Sequence, residues 1–250
     1  MAKFWQKITG NAFALGDKAG RRYYLEPMTA VKTQNFSASR LTADGLFVVQ
    51  LLFAIIFGGS EFYRLLTTRE GVNLTWFLCW LMFSLLNLTL TFRAHQNQPS
   101  RVTLQTFLSY ATWTTMVAAD LAVMLWKGTH IWGEIDTITA IVVGLGAVLT
   151  IALSYRLELG IVDPMIKGWL AVFFKAVPQL ALAYKIFMQG GAGLAAAAVV
   201  TGHVTILSRL GLLWFSIKEA GWDRNRRGSA LSELANETSW LIATIVWLIQ

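Results

Sequence analysis

The stretch Gly45 to Leu66, GLFVVQLLFAIIFGGSEFYRLL, decides the fold class. It runs from residue 45 to residue 60 without a charge. As an α-helix it rises about 33 Å at roughly 1.5 Å per residue, enough to cross about 30 Å of hydrocarbon. Its apolar residues do not alternate with polar ones, which removes the β-barrel strand as a reading. Six further stretches of similar length and polarity follow, at 72–93, 102–126, 136–157, 165–188, 192–217 and 230–250. The expectation is an all-α integral membrane protein of seven transmembrane helices.

Composition agrees. Hydrophobic residues make up 55% of the chain and charged ones 14%, against about 25% charged in a soluble domain. The single cysteine, Cys79, lies in an apolar run and supports neither a disulfide framework nor a redox pair. His95, His130 and His203 fall in separate segments without metal-ligand spacing, and there is no glycine-rich phosphate loop. No cofactor or metal is expected. No nucleophile, base and orienting group recur at catalytic spacing, so an enzyme is not expected either. A retinal-binding photoreceptor would need a lysine in its last helix, and 228–250 contains none.

The net charge of +7 does not point to nucleic acid, because the basic residues sit in loops and in the N-terminal arm rather than along one face. Residues 1–44 form that arm. It carries seven Lys and Arg, interleaved with Phe4, Trp5, Phe13, Tyr23 and Tyr24. Such a segment suits an anionic membrane surface, or equally a docking contact with a protein partner or a second copy. Adding the loops around 93–101, 156–167 and 218–227 places fifteen basic residues on the N-terminal side, while Arg64, Arg69, Lys127 and Lys185 make four on the other. The positive-inside rule then puts the N-terminus on the cytoplasmic side, or its organellar equivalent, and the C-terminus opposite.

The third and seventh stretches show an internal likeness. Superposing Trp113 on Trp240 lays Ser109, Trp113, Met116 and Asp120 over Asn236, Trp240, Ala243 and Trp247, each set on one helical face. The chain then divides into an arm (1–44), a first three-helix repeat (45–126), a linker helix (127–163) and a second repeat (164–250), a 3+1+3 plan. Within the second repeat, Pro178-Gln179, then Lys185, then Gly193-Leu194 resembles the PQ-loop motif. The segment from Arg209 through Trp214 to Asp223 is similar to the corresponding part of dolichol-phosphate-mannose utilisation proteins of that superfamily. Leu234-Ala235-Asn236 resembles a helix start in SWEET-type sugar carriers, where an asparagine faces the substrate. The first repeat has Ser60-Glu61 where the motif would stand. The resemblance implies a membrane carrier of a small polar solute, sugar-like or lipid-linked, working by alternating access. The competing expectation is a non-transporting membrane subunit or receptor that docks a partner through the basic arm.

Several residues are candidates for function. Pro178 lacks an N–H and clashes with the Phe174 carbonyl, which predicts a kink that either acts as a hinge or merely improves packing. Lys175 lies one turn before Gln179 and shares its face. Its charge calls for a partner, for which Asp120 and Glu61 are the candidates, in either a substrate or proton centre or a structural ion pair. Glu61 and His203 are candidates for proton coupling, with a histidine bonded to a backbone carbonyl as the alternative. Arg209 is expected to snorkel toward headgroups. Trp113, Asp120, Lys175, Gln179, Asn236 and Trp240 are expected to frame a solute site, or else ordinary helix packing with Asn as polar glue.

Overall fold

The computed structural model describes residues 36–68, 72–128, 132–189 and 194–250. The basic arm through residue 35 and Gly193 of the motif lie outside them. All regular structure among the described residues is helical: α1 (Phe36–Thr67), α2 (Leu74–Asn97), α3 (Arg101–Lys127), α4 (Glu134–Arg156), α5 (Pro164–Gln189), α6 (Ala196–Ala220) and α7 (Arg224–Ile249).

Local chemistry sets the helix ends. Asn73, Ser100, Asp163 and Asp223 each accept a backbone N–H in the first turn of α2, α3, α5 and α7, satisfying donors that have no intrahelical partner. Pro164 opens α5, where its missing N–H costs nothing. Gly128 closes α3 at φ 60°, a left-handed geometry that glycine adopts without strain.

Six helices, α1 to α6, are long and apolar enough to cross a membrane. The seventh is long enough but more polar. Asp223 starts it at Arg224, six residues before the apolar stretch at 230, and its first fourteen residues carry Arg224, Arg226, Arg227, Glu233 and Glu237. The distribution of polarity is that of a membrane bundle. Leu145, Val148 and Leu149 of α4 are more than half exposed, whereas Glu61, Asp120, Asp136, Lys175 and Lys185 are buried. Apolar surface turned outward and charges turned inward is stable only where the surroundings are lipid. The chain is a multi-pass membrane protein.

The helix pairings recur. α3 packs against both α1 and α2, and α7 packs against both α5 and α6. Between these groups α1 runs along α6, and α2 along α5. The six helices therefore close a ring in the order α1, α3, α2, α5, α7, α6, with α4 laid against α5 and α2. Two crossings depend on glycine. A Cβ at Gly58 of α1 would stand 2.5 Å from Met116 of α3, and one at Gly228 of α7 would stand 2.1 Å from the Pro164 carbonyl oxygen of α5. Small residues at these points let the backbones approach where no hydrophobic driving force separates helix from lipid.

Candidate functional site

The chemistry begins with a local irregularity in α5. Residues Val172–Ala176 form a π-turn, in which the Val177 N–H reaches the Val172 carbonyl five residues back. Pro178 follows directly. Its ring interferes with the Phe174 carbonyl in an ordinary α-helix, and the wider turn accommodates this by shifting the hydrogen-bond register by one residue. The expected disturbance is thus a π-turn. Lys175 sits within it and Gln179 just after, and both turn to the centre of the ring.

A small cavity of about 40 Å³ lies at that centre. That is below the several hundred Å³ usual for small-molecule sites, so a solute of sugar size enters only where the ring of helices opens. Every helix of the ring contributes: Phe57 from α1, Trp76, Trp80, Phe83 and Ser84 from α2, Tyr110 and Trp113 from α3, Lys175 and Gln179 from α5, Gly202, Thr205, Ile206 and Arg209 from α6, Asn236 and Trp240 from α7. The aromatic rings pack on one another. Phe57 meets Trp80, Trp113 and Trp240 at centroid distances of 5.4, 5.5 and 5.7 Å, and Trp76 stacks on Trp240 at 6.0 Å. These contacts fall within the 4.5–7 Å range of favourable ring pairs. Gly202 admits the Trp240 indole, whose Nε1 donates to the Val199 carbonyl at 3.3 Å.

The polar lining is rich in donors. Gln179 Nε2 donates to Asn236 Oδ1 at 3.1 Å, and Ser239 Oγ donates to Gln179 Oε1. This fixes the Gln179 amide and leaves Asn236 Nδ2 without an acceptor among the described residues. Arg209 faces Glu233 at 3.7 Å. Lys175 is only 6% exposed, and its ammonium lies 5.7 Å from the Phe83 ring centre. Among the described residues no carboxylate stands within ion-pair distance of it. A cation at the centre of a membrane helix is unfavourable by about 2.5 to 3.5 kcal/mol, and one ring face offsets only part of that.

Five of the six expected site residues, Trp113, Lys175, Gln179, Asn236 and Trp240, meet around the cavity. Asp120 does not. It lies two turns beyond Trp113 toward the end of α3, buried, within electrostatic reach of Glu61 and Arg64. Neither expected partner of Lys175 reaches it. Glu61 is taken by Arg64, one turn along α1, at 2.8 Å. Its other oxygen accepts the Ala195 N–H at the start of α6, also at 2.8 Å. Glu61 is thus a cross-helix cap.

His203 likewise departs from the carbonyl-bonded alternative. Its Nδ1 is 2.8 Å from Glu237 and its Nε2 2.9 Å from Thr244, both on α7, and its ring lies 6.3 Å from Trp240. It stands behind the cavity wall. Ser109 is bonded by Gln50 at 3.3 Å and does not line the cavity. Arg209, expected at the headgroups, is a lining residue.

A second clasp mirrors the Glu61 one. Asp136 of α4 accepts the Thr75 N–H and hydroxyl at the start of α2, at 3.1 and 2.8 Å, and pairs with Lys185 of α5 at 3.3 Å. Both clasps lie at the same end of the ring, where α1, α3 and α5 finish and α2, α4 and α6 begin. In each, a buried carboxylate that holds a cation also caps the N-terminus of another helix, where the backbone dipole favours negative charge. Arg64 and Lys185, counted as loop charges from the sequence, are buried here instead.

Compared with known protein families, curated proteins and solved structures, the chain matches none.

Trp76, Trp80, Phe57 and Tyr110 escaped the sequence reading. The four-residue spacing of Trp76 and Trp80 was the available signal, but an aromatic pair on a membrane helix reads equally as packing. Asp136 was unreadable because its partners, Thr75 and Lys185, are 61 and 49 residues away.

Proposed function

We propose that the chain is a carrier of a small polar solute, which binds in the central cavity between two three-helix units, α1 to α3 and α5 to α7, joined by α4. The observation that carries this reading is that all six helices of the ring line one cavity. The repeated pairings, α3 between its neighbours as α7 is between its own, and α1 on α6 as α2 is on α5, support a two-unit arrangement. Two units around one site is the geometry from which alternating access works. The two clasps then act as the latch at one end, and the π-turn before Pro178 is the point at which α5 can bend. With α7 as a seventh span, the plan is the 3+1+3 of PQ-loop carriers, in keeping with the motif at Pro178-Gln179. Indole faces at Trp113 and Trp240 suit the apolar face of a sugar ring, and Asn236 suits its hydroxyls.

The test is uptake by purified protein in liposomes. Saturable entry of a labelled sugar or sugar derivative is expected. Asn236→Ala and Trp240→Ala should each lower entry at least tenfold while the protein remains monodisperse.

One observation favours a second reading, that of a non-transporting membrane subunit. The rings of Phe57, Trp76, Trp80, Trp113 and Trp240 interlock across the centre as a packed core does. That reading prevails if no solute moves and the protein isolates in fixed ratio with another chain.

A further inference from the structure

We infer that the central cavity takes an organic anion: a sugar-sized ring bearing one phosphate or carboxylate, recognised by Lys175. This rests on the carrier reading and names its substrate class. Two cations, Lys175 and Arg209, line the cavity, and none of its lining residues is a carboxylate. Arg209 is partly neutralised by Glu233 at 3.7 Å. Lys175 has no carboxylate within ion-pair distance among the described residues: it is 94% buried, lines the cavity, lies beside the Phe83 ring, and feels Glu233 only from farther off. Asn236 Nδ2 and the Tyr110 hydroxyl, free of partners among the described residues, add two donors to the lining. Gln179 Oε1 already accepts from Ser239, which leaves hydroxyls as the weaker acceptors of the lining.

Positive charge in a lining without carboxylates selects an anion over a neutral polyol. Trp80, Trp113 and Trp240 also line the cavity, and their rings favour an anion carrying an apolar or ring-shaped body over inorganic phosphate. Two sources supply such a ligand, a free phosphosugar or sugar acid and a lipid-borne phosphosugar. The cavity chemistry is common to both.

The experiment is equilibrium binding of labelled glucose 1-phosphate to the full-length protein in detergent. The competitors are glucose, glucuronate, inorganic phosphate and glucose phosphate esterified to a farnesyl chain. Glucose 1-phosphate and glucuronate are expected to bind at least tenfold tighter than glucose. Inorganic phosphate should compete at least tenfold less well than the phosphosugar. Tighter competition by the farnesyl ester assigns the source to the membrane, and weaker competition assigns it to the aqueous phase.

Lys175→Met should abolish the preference for the charged sugar over glucose, whereas Lys175→Arg retains it. Arg209→Gln should lower the preference by a smaller factor, because Arg209 already faces Glu233; it serves as the second variant if Lys175→Met is not monodisperse. Glucose binding as tightly as its phosphate in the unmodified protein overturns the anion assignment, as does a preference untouched by both variants. Glucose uptake into liposomes in that case leaves the carrier reading standing. If folded protein neither binds nor moves any of these sugars, both fall.

Discussion

A methyl group at Gly228 would meet the carbonyl of Pro164, a backbone atom that cannot rotate away. Gly228→Val is therefore expected to destabilise the bundle by about 1 to 3 kcal/mol, the usual effect of overpacking. Gly59→Ala, with nothing within 4 Å of the new atom, should leave stability unchanged. Thermal unfolding in detergent, followed by loss of the monodisperse peak, separates the two. Lys175 and Asn236 were legible from their types alone, since a charge or amide in the middle of an apolar run demands an explanation. Partners were not legible. Glu61 and Asp120 look alike as membrane carboxylates, and the three-residue step from Glu61 to Arg64 decided which of them was already neutralised. Asp120 retains a buried carboxylate oxygen without a partner among the described residues. Asp120→Asn should therefore be tolerated better than Glu61→Gln, which removes the charge opposite Arg64 and leaves one oxygen where Arg64 and the Ala195 amide use two. The same unfolding measurement ranks them.

Between elements, the clasps are where a single change should propagate. Breaking a buried ion pair by removing one partner leaves the other charge uncompensated, typically at a cost of 3 to 5 kcal/mol. Lys185→Met should accordingly be severe. The double change Lys185→Met with Asp136→Asn should recover part of the loss, the remainder reflecting the Thr75 bonds that Asp136 also makes. A double-mutant cycle in denaturant measures that coupling, and additivity of the two single effects would show that the pair is not a unit. Helix positions were readable because length and polarity of a membrane span are dictated by the bilayer. The π-turn was not. The proline announced only that the ordinary bond pattern fails, and a kink and a widened turn are alternative remedies chosen by the packing of α5 against α4 and α7.

For the whole molecule, helix count and sidedness are linked. If α7 crosses together with the six more apolar helices, the chain ends lie on opposite faces. In a variant whose native Cys79 is replaced, cysteines at Gln98 and Gln250 should then be labelled by an impermeant maleimide from opposite sides of sealed vesicles, Gln98 from the cytoplasmic side. Labelling of both from one side would mean that α7 does not span. The sequence could not decide this, because α7 supplies Glu233, Asn236 and Glu237 to partners on α5 and α6 and so lowers its own hydropathy. The ring order was equally hidden, since the chain order says nothing about which ends meet.

The meeting of α1 and α6 also bears on how the protein is made. Helices enter the bilayer in order of synthesis, so Glu61 arrives with the first span, while the amide it caps arrives with the sixth. Until then a charged carboxylate at the far end of α1 must be shielded by Arg64 alone. The nascent first half is an unfinished surface that later helices complete. A chain stopped after α5 should be a substrate for membrane quality control rather than a stable half-bundle, and pulse-chase degradation of such a truncation against the full chain would measure it.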